Sequence, residues 1–194
     1  MALSVVTRFR RPTRTQLFWA VGRVERLRLC AEIVNVAGRA VVFCRSDADA
    51  IRVASELSRI GVPAASVEHR DFSSSRVRAR VVTDQTAEAC GRESASCVIH
   101  YDLTGSARRY RRRLDLVAQE HATIVSFVVP EREPAVRELL RALDLPDVLT
   151  APDVAAVADA LAAAHEAAHA APAPGSPAGD ERPGRADALE SRVR

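Results

Sequence analysis

The sequence predicts an α/β domain of three layers, a parallel sheet covered by helices on both faces. Three apolar runs carry the expectation: Ala40-Val41-Val42-Phe43-Cys44, Arg80-Val81-Val82-Thr83-Asp84 and Cys97-Val98-Ile99-His100-Tyr101-Asp102. Each ends in small, polar or acidic residues, as strands buried on both faces do, whereas half-exposed strands alternate. Segments with helical spacing lie between and around them, the order of a parallel sheet with crossover helices. In such sheets ligands meet the chain at the carboxyl ends of the strands, where these polar residues fall.

In chain order, residues 1–14 hold Arg8, Arg10, Arg11 and Arg14 around Pro12 and read as a basic, flexible arm. Leu17, Val21, Val24, Leu27, Ala31 and Val34 recur at three- and four-residue steps, which predicts a helix over residues 15–36 that Gly38 ends. A strand follows over residues 40–44. Asp47 stands at a helix N-cap position, and Ile51, Ala54, Leu57 and Ile60 give the helix an apolar face until Gly61 and Pro63 stop it. Short strands are expected over 64–67 and 79–83, a short helix over 85–90 and a strand over 96–101. A helix over 106–119, a strand over 123–128 and a helix from Pro130 to about Leu143 complete a domain over residues 15–147. Residues 148–171 are alanine-rich and expected to extend as a helix, because alanine has the best intrinsic helix propensity. Residues 172–194 carry prolines, glycines and charges with little apolar surface and read as a disordered tail.

The 194 residues carry a formal net charge of +3, and every basic side chain is arginine because the chain has no lysine. No Gly-Lys-Ser/Thr phosphate loop is therefore possible. Cys30, Cys44, Cys90 and Cys97 form no Cys-x-x-Cys pair and sit mostly in apolar segments, which points to a reducing, cytoplasmic setting without disulfides. No signal peptide and no apolar run of membrane-spanning length is present, so no membrane partner is expected.

The order of the pieces resembles the C-terminal RecA-like (helicase C) domain of DEAD-box ATP-dependent RNA helicases over about residues 16–145. Phe43 and Ser46 match the end of that domain's first strand, which in the family touches the RNA backbone. Glu68-His69-Arg70-Asp71 keeps the His and Asp of a His-Gly-Asp strand end, and the family's RNA-binding Gln-x-x-Arg helix is missing after it. Thr83 and Asp84 open a Thr-Asp-x-x-x-Arg-Gly-x-Asp motif that continues here with Glu88, Ala89 and Gly91. Val98-Ile99-His100-Tyr101-Asp102-Leu103 fits Val-Ile-x-Tyr-Asp-Leu. In the last motif, Tyr-x-His-Arg-x-Gly-Arg-x-Gly-Arg, Tyr110 and Arg113 match and Arg112 replaces the His. Asp115-Leu116-Val117-Ala118-Gln119 replaces the Gly-Arg-x-Gly-Arg end, and Ser126-Phe127-Val128 matches the following strand.

The resemblance implies a binding role. The family's two final-motif arginines offset charge on a transferring phosphate, and Leu116 and Gln119 stand in their places. With no phosphate loop either, the expectation is a degenerate domain without ATP hydrolysis of its own, without catalytic residues, cofactor or metal. It would bind nucleic acid, RNA favoured, or a partner protein, such as a polypeptide supplying an ATPase half, through Arg45, Ser46, Thr83, Asp84, Arg108, Arg109, Arg111, Arg112 and Arg113. The last five arginines crowd one short segment without an acid among them, and seven more lie between Arg8 and Arg28 against Glu25 alone. Such clusters can neutralise phosphates, which makes binding salt-dependent, and they also occur as plain solvated helix faces. Trp19, Tyr101 and Tyr110 are the candidates for stacking on bases.

Other readings compete. The domain could be a protein-interaction or regulatory module that never touches nucleic acid. Cys44-Arg45-Ser46, between a strand and a helix, resembles the active loop of rhodanese-type sulfurtransferases and would make Cys44 a nucleophile. Asp47 and Asp49 put acids where an anion should sit, which favours a buried Cys44 instead. Thr83 and Asp84 equally suit a helix cap. His69 and His100 read as hydrogen-bonded edge residues. His165-Glu166-Ala167-Ala168-His169 has the zinc-protease spacing, in alanine-proline surroundings with nothing to build a cleft.

Overall fold

The computed structural model of the chain describes residues 14–67, 75–90, 95–116 and 121–170. The arm over 1–13, the segment with His69, Asp71 and Phe72, Gly91, Gln119 and the tail from 171 lie outside the described residues. Among the described residues a single sheet has six parallel strands: β1 (Thr15–Ala20), β2 (Ala40–Phe43), β3 (Ala64–Ser66), β4 (Ala79–Val82), β5 (Cys97–His100) and β6 (Thr123–Val128), in the order β1-β6-β5-β2-β4-β3. The helices are α1 (Arg26–Ala37), α2 (Asp47–Arg59), α3 (Asp84–Cys90), α4 (Ala107–Asp115), α5 (Glu133–Leu143) after a 3-10 turn (Pro130–Arg132), and α6 (Val154–Ala170). This is the expected three-layer α/β architecture.

Successive residues of a strand face opposite sides of the sheet, and the two cores divide accordingly. Ala40, Val42, Cys97, Ile99, Val125 and Phe127 pack with α1, α2 and α6 on one side, while Val41, Phe43, Val98 and Ile124 face the other. There Tyr110 of α4 and Leu139 and Leu140 of α5 form a further apolar cluster with Phe18 and Val128. Val157 of α6 is fully buried in the first core, so the alanine-rich helix is packed onto the sheet's cover.

One element departs from expectation. The helix foreseen over residues 15–36 is a strand followed by a shorter helix. Thr15 to Ala20 pairs residue for residue with Thr123 to Val128. Phe18 and Trp19 are adjacent, both buried, and belong to opposite cores, which a strand allows and one helical face does not. Val24, counted in the helical stripe, is 94% exposed. The stripe over residues 17–24 mixes two faces of a strand with a turn, and only from Leu27 onward is the helical spacing real. Thr150 pairs with β1 through Thr150 N–H to Phe18 O (2.9 Å) and Ala20 N–H to Thr150 O (3.0 Å), covering that sheet edge.

Smaller differences are local. Ser46, not Asp47, caps α2: its hydroxyl accepts the Asp49 N–H at 3.2 Å. Asp47 instead accepts the Thr83 hydroxyl at 2.9 Å, tying α2 to the end of β4. The described part of the helix expected over 106–119 runs Ala107–Asp115.

Candidate functional site

Parallel strands in register bring their carboxyl ends to one edge. Phe43 stands beside Val82 and His100, and His100 beside Ser126. The residues that follow, 44–46, 83–84, 101–105, 129–132 and 21–26, therefore gather at that edge. They enclose an open cleft of about 360 Å³ whose charged lining is seven arginines (Arg23, Arg26, Arg45, Arg52, Arg109, Arg113, Arg132) against three aspartates.

The aspartates are engaged by the protein itself. Asp102 accepts from Arg26 Nη1 at 2.9 Å through Oδ1 and from the Arg45 backbone N–H at 3.2 Å through Oδ2. Arg26 also donates to Tyr101 O (3.0 Å) and lies over the Tyr101 ring, its Cζ 4.9 Å from the centroid. Asp49 pairs with Arg52 at 3.4 Å, and the hydroxyl of Ser46, donating at 2.7 Å, holds its carboxyl below the usual carboxylate range. Asp84 takes both Nε and Nη2 of Arg113, at 2.5 and 3.3 Å.

Arg113 is the structural member of the basic helix. It is 3% exposed, donates to Asp102 O at 2.9 Å and sits 4.9 Å over the Phe43 ring. A guanidinium so deep needs its carboxylate partner, because an unpaired buried charge is costly. Arg112 pairs with Glu88 at 2.5 Å and Arg111 donates to Ala142 O at 3.2 Å, both from exposed positions. Arg132 donates to Leu103 O at 3.2 Å. Arg23, Arg45 and Arg109 line the cleft from exposed positions with their guanidinium groups making no hydrogen bond or ion pair to a described residue. Arg108 is exposed and outside the lining.

The other foreseen residues have structural work. Ser46 caps α2. Thr83, 6% exposed, caps α3 reciprocally: its hydroxyl accepts the Thr86 N–H at 3.3 Å while the Thr86 hydroxyl accepts the Thr83 N–H at 2.8 Å. Ser106 caps α4, accepting the Arg109 N–H at 3.4 Å, and no acid lies in that first turn, so the positive end of the α4 dipole adds to the cleft. The first turn of α2 carries Asp47 and Asp49 and does not.

Two expectations about chemistry fail on burial. Trp19, Tyr101 and Tyr110 are 1%, 3% and 1% exposed, so none of them offers a face to a base. Cys44 is 1% exposed, and burial, with Asp102 and Asp49 nearby, pushes its thiol far above the usual range. A nucleophilic thiolate needs the opposite environment. His100 is fully buried on the α4 side, its Nδ1 3.0 Å from Ser126 Oγ and its ring edge-on to Phe43 and Tyr110. Burial, with Arg113 nearby, pushes its pKa well down, so the ring is neutral.

Sequence reasoning missed Arg52 and Arg132, and it counted Arg23 and Arg26 only within the N-terminal arginine cluster, not at this cleft. Arg23 and Arg132 each lie within four residues of a strand's carboxyl end, at Ala20 and Val128. That signal exists in the sequence, but its use requires knowing which strands are neighbours.

No family model matches the chain, and no curated protein matches it in sequence. Solved structures match in fold. A DEAD box protein from the hyperthermophile Methanococcus jannaschii aligns at 23% identity and a TM-score of 0.61, over 72% of this chain and 42% of that one. E. coli DEAD-box protein SrmB, solved bound to regulator of ribonuclease activity A, aligns at 19% identity and 0.62, over 74% of this chain and 92% of that one. S. cerevisiae Dbp5 aligns in two states. Its L327V form bound to RNA and ADP BeF3 does so at 14% identity and 0.61, over 81% of this chain and 46% of that one. Its L327V C-terminal domain bound to Gle1 H337R and IP6 does so at 15% and 0.60, over 79% and 99%. The chain thus has the fold of a DEAD-box C-terminal domain, the RecA-like architecture its sequence suggested, and spans less than half of the M. jannaschii chain and of the RNA-bound Dbp5 chain.

Proposed function

We propose that the chain binds the phosphate backbone of single-stranded RNA in the cleft at the carboxyl ends of its strands, without hydrolysing ATP. The single observation that carries this reading is the surplus of arginine there. The three aspartates are committed to Arg26, Arg52 and Arg113, while Arg23, Arg45 and Arg109 remain unpaired among the described residues, beside the capped N-terminus of α4. Unpaired guanidinium groups beside a helix N-terminus suit phosphate oxygens, and the absence of exposed aromatic side chains among the candidates suits backbone over base recognition. The likeness to Dbp5, solved with RNA, supports the choice of ligand. The inference that ATP is not hydrolysed rests on the missing lysine and on Leu116, which packs against the core where the resemblance expects an arginine.

The test is fluorescence-anisotropy binding of the full chain to a labelled single-stranded RNA across a salt series. Each phosphate that the protein no longer neutralises should flatten the slope of log K against log salt by about 0.7. An Arg45→Ala/Arg109→Ala variant is expected to weaken binding at low salt at least tenfold and flatten the slope by about 1.4. Arg59→Ala, an exposed arginine in the last turn of α2, is expected to change neither. Absence of wild-type binding at low salt would overturn the reading. A protein ligand would then be the reading to pursue, as SrmB and the Dbp5 domain were each solved with a protein bound.

A further inference from the structure

We propose that His165 and His169 form a two-histidine chelate for a borderline divalent transition ion, such as Zn2+, Ni2+ or Cu2+, on the exposed face of α6. The site is independent of the arginine cleft. Of the pair, His165 also lines a groove with Val36, Ala37, Ser96 and His121, residues that end α1 or precede β5 and β6, at the amino edge of the sheet.

The geometry is that of a chelate. Residues four apart on a helix share a face, and here both rings turn their Nε2 atoms toward one another, 3.1 Å apart, with ring centroids 4.3 Å apart and planes at 76°. An ion at an ordinary metal–imidazole distance of about 2.05 Å from each nitrogen would subtend an angle of about 98°. That lies between the right angle of square-planar or octahedral coordination and the tetrahedral angle, so ions of either preference fit with a small rotation of one ring. Without an ion, one ring must present N–H and the other its lone pair. With an ion, both lone pairs are used.

The helix is already fixed in place. Val157 is fully buried and Leu161 packs on the same core, so binding need not first order the segment. Glu166 lies one residue after His165 and three before His169, yet it forms no three-membered ligating cluster with them. The sequence spacing that suggests a protease thus yields two histidine ligands on one face of the helix. Among the described residues there is no cluster of three or more ligating side chains, so water or an added ligand completes the coordination. His121, in the groove His165 also lines, has a buried Nδ1 without a hydrogen-bond partner and is a candidate for a water-bridged contact. A chelate across residues 165–169 joins the final turn of α6, whose carbonyls lack intrahelical partners, to the turn before it.

The experiment is isothermal titration of the untagged full chain with NiCl2 and, separately, ZnSO4, paired with thermal melts in ion and in EDTA. Wild type is expected to take up one ion and to melt higher with it, reversibly on EDTA addition. His169→Ala should weaken binding at least tenfold. A second variant, His169→Ala/Ala167→His, keeps the number of histidines but sets them two residues apart, on different faces, and should be as weak as His169→Ala. Wild-type affinity retained in either variant, or no uptake by wild type at about 1 mM ion, would overturn the proposal.

Discussion

The division of arginines into those that hold the fold and those open to a ligand makes a sharp prediction at Asp84. In Asp84→Asn the amide keeps the shape of the carboxylate and loses its charge, leaving Arg113 with its bond to Asp102 O and the Phe43 face. The Arg113 side chain is 4% exposed and that of Asp84 33%. Breaking a fully buried ion pair by removing one partner costs about 3–5 kcal/mol. Water reaching the Asp84 side offsets part of this, which brings the expected loss to about 2–3 kcal/mol. With a urea m-value of about 2 kcal/mol/M, the middle of the usual range, the midpoint should fall by about 1–1.5 M.

The same logic fixes the sign of a coupling. Arg113→Met removes the charge that Asp84 serves and fills the space with apolar volume, so Asp84→Asn in that background should cost far less than alone. Equilibrium urea unfolding of the four proteins, followed by far-UV circular dichroism, reads both quantities. A single-variant loss under about 0.5 kcal/mol, the usual range for a surface substitution, or two losses that simply add, would refute the assignment of Arg113 as a buried charge held by Asp84. Anisotropy with RNA, measured well below the unfolding transition, adds a second reading. Asp84→Asn should bind as tightly as wild type or slightly tighter, because it removes negative charge beside the cleft. A loss of more than about twofold would make Asp84 a ligand contact.

Two further outcomes follow from burial. His100 is held neutral in the fold, its pKa depressed by burial and by Arg113, so the unfolded chain binds its proton first as pH falls. Stability from this residue is complete above the unfolded value of about 6.5 and declines below it by up to about 1.4 kcal/mol per pH unit until the folded pKa is reached; His100→Gln should flatten the acid limb of a urea-midpoint profile, and an unchanged limb would refute the account. Cys44, buried with a strongly raised thiol pKa, should resist Ellman's reagent at about pH 8, near the ordinary thiol pKa, until denaturant unfolds the domain, and stoichiometric labelling of Cys44 in the native protein, located by peptide mass, would revive its reading as a nucleophile.

What the sequence made legible follows from how many neighbours a signal needs. The runs ending at Phe43, His100 and Val128 are apolar on both faces, and that property is local, so these strands could be read without knowing what lies beside them. The strand Thr15–Ala20 could not. Leu17, Phe18 and Trp19 are buried to different degrees on two faces, and Val21, Val24 and Leu27 continue the row at helical steps; only pairing with residues 123–128, over a hundred positions away, separates strand from helix. A helix at that place also hides Arg23, which would be one more solvated charge on it and instead stands at the carboxyl edge beside Arg109 and Arg132. Arg113 is the converse case. Tyr110, Arg113 and Leu114 lie three and four residues apart, so a helix that buries Tyr110 turns Arg113 inward as well, and the spacing alone separates it from Arg111 and Arg112. A run of arginines is thus not one feature. The helical period assigns one of them to the core, and the strand order, which no local pattern encodes, decides which of the rest share a cleft.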